Sequence, residues 1–244
     1  MTADTMPISR VVADPATVRT AAAQEGVVAV HDGPTDPKAF TAFLEAMGPL
    51  MFTEGETPVA EAPDLNIVTN AGRSRPPRSV FHSDTTYVAE PPWLSGLMAV
   101  EVPTSGGATL FTDQYAVLDR LDPDLRTRLE GARMLHGPTD VPETEATWHP
   151  LLPRNPVTNR PALYLTARAR CRRLELADGT DASDLIDMLL AVSTDPNHLR
   201  RHAWAPGDVV VWDNRCTLHA ADHSAVVGTR TLYRGLVRGS APVA

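Results

Sequence analysis

The chain has 244 residues, 43% of them hydrophobic and 21% charged, an ordinary globular composition that excludes disorder and leaves room for one sizeable core. Lys and Arg number 22 against 30 Asp and Glu, for a formal charge of −8. With no dense Lys/Arg stripe, neither nucleic acid nor an anionic membrane is expected as a partner, because both rest on a concentrated positive field.

The first thirty residues include Asp4, Arg10, Asp14 and Arg19 and hold no apolar segment of the secretory kind. No apolar run approaches the ~20 residues that cross a bilayer. Two cysteines, Cys171 and Cys216, make no disulfide framework. The expectation is a soluble cytoplasmic protein forming one domain over 1–244, with residues 1–10 outside the ordered part.

The chain begins helix, strand, helix. Asp14-Pro15 and Asp36-Pro37 each read as an N-cap followed by Pro at the first helical position. Gly26 and Gly48 stand where the two helices should stop, and VVAVHD (27–32) between them reads as a strand. From about residue 65 short β runs take over: LNIVT, SVFHSDTT, SGLMAVEV, ATLFTD and ARMLHG, each bounded by Gly, Pro or Ser. Helical spacing interrupts at about 114–130, where Asp122-Pro123 caps a segment closed by Gly131. It returns at about 181–193, whose apolar residues share one face. DVVVWDN, TLHAAD and TRTLYRGLV end the chain as strands. The expected fold class is mostly β with flanking helices, two sheets forming a jelly-roll barrel around a site.

FHSDTTY (81–87) is read as part of a strand, where side chains at i and i+2 point to one face. His82 and Asp84 would then converge on one point, offering an imidazole and a carboxylate to a metal. TLHAAD offers His219 as a third ligand. Two His and one carboxylate leave open positions, the arrangement of non-haem iron(II) oxygenases. H-x-D alone is weak, since such triplets arise by chance in chains of this size; a half-buried strand with a polar face is the other reading. Arg230 and Arg234 flank TLY on the last strand, four apart and on the same face. A guanidinium pairs bidentately with a carboxylate, so two inward arginines would want two anionic groups. Two surface charges on an edge strand are the alternative.

Five blocks in order then resemble the taurine dioxygenase/TfdA-like family over about residues 27–239. FHSDTTYVAEPP is similar to the family's W-H-x-D-x-[TS]-[FY]-x-x-x-P-P, and VPTSGGATLFTD to its P-x-x-G-G-x-T block, which places Thr109. HPLLPRNPVTNRPALYL, WAPGDVVVWDNRCTLHAA and RTLYRGLVRG match its three later blocks. The resemblance implies a double-stranded β-helix, cupin-like, with iron(II) at His82, Asp84 and His219. It implies that Thr109 and Arg230 bind the distal carboxylate of 2-oxoglutarate and that Arg234 faces the substrate. It further implies a dioxygenase that uses dioxygen and releases succinate and carbon dioxide. Halogenating relatives lack the carboxylate that Asp84 provides, so hydroxylation or a related oxidation is expected.

The sequence also departs from the family. Taurine dioxygenase proper sets a histidine before the H-x-D block, whereas residues 32–81 hold none and Thr53 or Glu54 falls near that place. Taurine is therefore not the expected substrate. The segment after the His136 strand is short, which leaves substrate cover and lid contacts open. A small anionic substrate is expected, because Arg234 would otherwise be a buried charge without a partner. Tyr87, Asn70 and the loop 71–79 are candidate substrate contacts. His31, His136, His198, His202 and His223 are read as surface or hydrogen-bonded residues and His149 as structural. Asp213 is read as shaping the turn before the His219 strand, and Cys216 as pointing away from the metal. Desaturation, cyclisation or another rearrangement in secondary metabolism stays open beside hydroxylation. So do a non-catalytic metal-binding barrel and assembly as a homo-oligomer.

Overall fold

The computed structural model describes residues 6–72, 79–138 and 140–244. Its strands are β1 (Ser9–Val12), β2 (Val27–His31), β3 (Leu50–Met51), β4 (Pro58–Val59), β5 (Ala62–Thr69), β6 (Pro92–Glu101) and β7 (Thr109–Phe111). They continue with β8 (Arg133–His136), β9 (Thr147–Pro150), β10 (Cys171–Glu175), β11 (Arg200–His202), β12 (Val209–Asp213), β13 (His219–Ala221) and β14 (Thr231–Arg238). The α-helices are α1 (Pro15–Glu25), α2 (Pro37–Glu45), α3 (Gln114–Arg120), α4 (Pro123–Arg128) and α5 (Ile186–Ser193).

The helix starts follow their caps. Asp14 and Asp36 accept from the backbone N–H of Thr17 and Ala39, each with Pro at the first position, which satisfies donors a helix start leaves orphaned. Gly26 closes α1 with φ 83, a conformation glycine adopts without strain. The helical stretch over 114–130 is two helices, with Leu121 extended between them and Asp122 capping α4 as its Asp-Pro pair indicated. The helix expected from 181 begins its α-helical part only at Ile186, after a 3-10 turn at Ser183–Leu185. Residues 9 and 10 are not outside the ordered part: they open β1, which pairs in parallel with β2.

The largest sheet runs β1-β2-β12-β6-β14-β5-β4, with β3 added on β14; facing it is β11-β7-β13, and β10-β8-β9 forms a third sheet. This is the jelly-roll arrangement expected from the sequence. The apolar runs of β2 and β12 are continuous because both faces are covered. Val28, Val30, Val209 and Val211 pack toward Val18, Ala22, Phe40 and Leu44 of α1 and α2. Val27, Ala29, Val210 and Trp212 pack inward with Phe111 of the facing sheet. Gly96 and Gly235 are cross-strand partners on β6 and β14. A Cβ on Gly235 would lie 2.3 Å from Leu44 Cδ1, and one on Gly96 2.9 Å from Leu44 Cδ2. The glycine pair lets α2 settle onto the outside of the sheet whose inner face carries Arg234. Among the described residues no helix is long and apolar enough to cross a membrane.

Candidate metal centre

His82 and Asp84 do not lie in a strand. His82 makes an isolated antiparallel bridge to His219, with backbone bonds of 3.0 Å and 2.9 Å in the two directions, and residues 84–87 then form a turn with Thr85 at φ 48. Side chains rather than a ladder hold this segment. Ser83 Oγ sits 3.0 Å from the carbonyls of both Asn214 and Thr217. Thr166 donates to Ser83 O, and His149 Nε2 donates to the carbonyls of Thr86 and Val88. A strand would have placed Asp84 by parity; here the turn does so, and its carbonyls need these partners because buried polar groups are costly unpaired.

The three side chains predicted to share a metal meet. One ligand atom from each of His82, Asp84 and His219 lies within 4.8 Å of the others. His82 Nε2 is 3.7 Å from Asp84 Oδ1 and His219 Nε2 is 3.9 Å from Asp84 Oδ2. His82 Nδ1 is 2.9 Å from the Val80 carbonyl. A carbonyl only accepts, so Nδ1 carries a proton, and Nε2 is the nitrogen turned toward Asp84. Burial pushes the His219 imidazole down to about 3, with the neighbouring His82 adding to the effect, so His219 is neutral at ordinary pH. Burial opposes ionisation of Asp84, but Arg234, His219, His82 and the Ser95 hydroxyl outweigh it and hold the carboxyl far below its usual range. Two imidazoles and one carboxylate grouped in this way fit a divalent transition metal.

Beside the cluster, Asn214 supports Asp84 directly and through Ser95. Asn214 Oδ1 accepts from the Asp84 backbone N–H and from Trp212 Nε1, while its amide donates to Ser95 Oγ. Ser95 in turn donates to Asp84 Oδ2 at 2.7 Å. Asp213 instead holds Asn155 and Arg215, which shapes the turn as expected. Cys216 is buried beside Tyr115 and Ala162, away from the cluster. His136 is buried on Thr86 Oγ1, and His202, half-buried, bonds Asp208.

A cavity of about 300 Å³ opens from the cluster between the two facing sheets, lined among others by Thr109, His219, Arg230 and His223. Arg230 is only 2% exposed. Its guanidinium donates to Gly107 O and Thr109 Oγ1, and burial lowers it to about 10, so it stays charged. Among the described residues no carboxylate lies within ion-pair distance of it. Thr109 Oγ1 also accepts from Trp204 Nε1. With two donors already aimed at that oxygen, its own proton is left to point at a further acceptor. Asn70 is not among the lining residues. Its side chain accepts from Arg230 N and donates to Gly228 O, so it fixes the entry to β14. Residues 73–78 of the candidate loop 71–79 lie outside the described residues.

A second cavity, of about 800 Å³, meets the first at His82 and Arg234 and is lined also by Thr53, Glu56, Asp84, Tyr87, Arg168 and Arg170. Tyr87 is therefore placed at its wall, with the Arg170 guanidinium 5.2 Å from its ring centroid. Arg234 has a different setting from the one inferred. It is not a charge in search of a partner: Nη1 donates to Asp84 Oδ1 at 2.8 Å and Nη2 to Glu56 Oε1. Glu56 was missed because nothing in T-E-G-E marks which glutamate turns inward. Burial raises its carboxyl, partly offset by Arg234.

A family model described as "Taurine catabolism dioxygenase TauD, TfdA family" matches residues 3–236. Pentalenolactone F synthase of Streptomyces arenae is 36% identical over 165 residues, which is 57% of this chain and 55% of that one. The alpha-ketoglutarate-dependent 2,4-dichlorophenoxyacetate dioxygenase of Cupriavidus pinatubonensis is 34% identical over 180 residues, 67% of this chain and 61% of its own length. The chain thus spans little more than half of these curated relatives. A taurine dioxygenase from Burkholderia xenovorans superposes with a TM-score of 0.79 at 26% identity, over 98% of this chain and 91% of that one.

Proposed function

The chain belongs to the TauD/TfdA family, and on that premise we propose that it is an iron(II)- and 2-oxoglutarate-dependent oxygenase acting on a small organic molecule. His82, Asp84 and His219 would hold the iron, and Arg230 with Thr109 the distal carboxylate of the keto acid. Once bound, iron and keto acid would supply the oxidising power to attack a substrate C–H bond with dioxygen, leaving succinate and carbon dioxide.

One observation carries this reading: the imidazoles of His82 and His219, grouped with the Asp84 carboxylate, line the same cavity as Arg230, a buried guanidinium with no carboxylate at ion-pair distance among the described residues. A buried charge without a counter-ion is expensive. The Arg230 cation therefore favours an anionic ligand, and the Thr109 proton adds a donor to the same point. Ser95 and Asn214 orient Asp84, and the Val80 carbonyl sets the His82 tautomer; such supports raise metal affinity by fixing ligands before binding. A separate dicarboxylate clamp would serve no purpose in a mere metal-binding barrel.

The substrate's place is the second cavity, beside Asp84 and Tyr87. The anionic substrate expected from sequence is kept on different support, namely Arg170, which has no carboxylate at ion-pair distance among the described residues. We also keep the cytoplasmic setting and single-domain organisation, on the strength of two buried free thiols and a family match across most of the chain. Anaerobic titration with iron(II) and then 2-oxoglutarate tests the activity. A visible charge-transfer band, followed on aeration by stoichiometric succinate, is the expected result. Iron binding with no band and no succinate would reject the enzyme reading.

A further inference from the structure

We propose that Glu56 is a specificity residue that occupies the anion position on Arg234, so that the deep end of the substrate cavity refuses a carboxylate or sulfonate. It receives instead a hydrogen-bond-donating group, a hydroxyl, amide or ammonium. This rests on the oxygenase reading above and names the substrate chemistry of the same site.

The placement of Glu56 is built into the fold. Asn66 on β5 is the cross-strand partner of Arg234 on β14. Its Oδ1 accepts from Thr57 N, and Ile67 N donates to Thr57 O. The residue after Glu56 is therefore pinned to the strand beside Arg234. On the other side, Glu56 N donates to Thr53 O across a turn whose Gly55 has φ 85. The carboxylate is thus delivered to Arg234 from a fixed backbone, not from a wandering loop end.

The charges then decide what can bind. Arg234 stands between two carboxylates, Asp84 and Glu56, and all three are shielded, with side-chain exposures of 15%, 3% and 17%. Charges this sheltered are weakly screened by salt. Before any metal is counted one cation faces two anions, and with or without metal Glu56 fills the seat where an unmasked arginine would hold a third anion bidentately. Glu56 Oε1 faces Arg234 and the Thr53 backbone also bonds the carboxylate, but a carboxylate has more lone pairs than these partners use, so Glu56 still offers an acceptor to the cavity it lines. Arg170, against Tyr87 on that wall, remains to take an acidic end of the substrate, which orients the molecule with its donor group inward.

The test uses 4-fluorobenzoate as a small anionic probe, followed by fluorine NMR line shifts. It is run on the whole protein both metal-free and loaded with zinc and N-oxalylglycine, the latter to fill the Arg230 end. Glu56→Gln, which preserves shape, and Glu56→Ala should each bind the probe at least tenfold tighter than the unaltered protein. Adding Arg234→Met should abolish that gain. No gain in either variant, or a gain that survives loss of Arg234, overturns the proposal. Because the mask consists of the protein's own side chains, the metal-free arm reads it even if loading fails. Failure to load zinc and N-oxalylglycine would count against the oxygenase reading alone.

Discussion

Ser95 on β6 donates its hydroxyl to Asp84 Oδ2 at 2.7 Å, while Asn214 steadies Ser95 from the other side. The carboxylate that would share the metal is thereby fixed by a neighbour eleven residues on, and this sets the first expectation. Ser95→Ala should weaken iron(II) or cobalt(II) binding by about tenfold or more, measured by competition with a chelator. Equal affinity would mean that Arg234 alone orients Asp84.

Arg230→Met should reduce 2-oxoglutarate or N-oxalylglycine affinity by about a hundredfold or more, as loss of one partner from a buried charge pair does. Metal affinity should stay unchanged, since Arg230 touches none of the three ligands. Thr109→Val should cost about tenfold, the value of one hydrogen bond to a charged group. Calorimetry of the zinc-loaded protein reads both, and a loss of metal rather than keto acid would contradict the assignment.

Stability should fall as pH drops below about 6.5. Burial, and then His149, push the His136 imidazole down to about 3, and burial lowers His149 as well. In the unfolded chain such residues titrate near 6.5. Between about 3 and 6.5 the unfolded state therefore holds protons that the folded state refuses, and stability declines as pH falls through that window. Above it the contribution is constant. Urea midpoints at pH 7.5 and 5 should differ in that direction, and His136→Gln should shrink the difference.

Gly235→Ala should destabilise the fold by about 1–3 kcal/mol, the usual cost of overpacking a tight core, because the new methyl would meet Leu44 and Leu65. Pairing it with Leu44→Ala should cost less than the sum of the two single changes. Strict additivity in urea unfolding would show that the two positions do not share one space.

Much of this architecture is legible in sequence, and the failures have physical causes. Asp-Pro pairs announce α1 and α2 because cap and proline act locally, and the continuous valines of β12 announce a strand covered on both faces. Two of the candidate metal ligands, His82 and Asp84, were paired for a reason that does not hold. The segment carrying them is a turn held by His149 and Thr166 and, through Ser83, by Asn214 and Thr217, all long-range partners that no periodicity reveals. Arg234 was read correctly as inward, but its counter-ions come from positions 56 and 84, on different segments. A glutamate's direction depends on which turn carries it, and T-E-G-E offers two. The support given to Asp84 by Ser95 and Asn214 likewise needs three dimensions to appear.

The mutual backbone bonds between residues 82 and 219 bring two imidazoles together before any ion arrives, their ring centroids 4.2 Å apart. In domains where binding itself organises the chain, chelators unfold the protein. Here loop closure is already achieved by a β bridge, so stripping the ion should leave a folded receptor ready for reloading. Exchange of one divalent species for another can then proceed without a folding step.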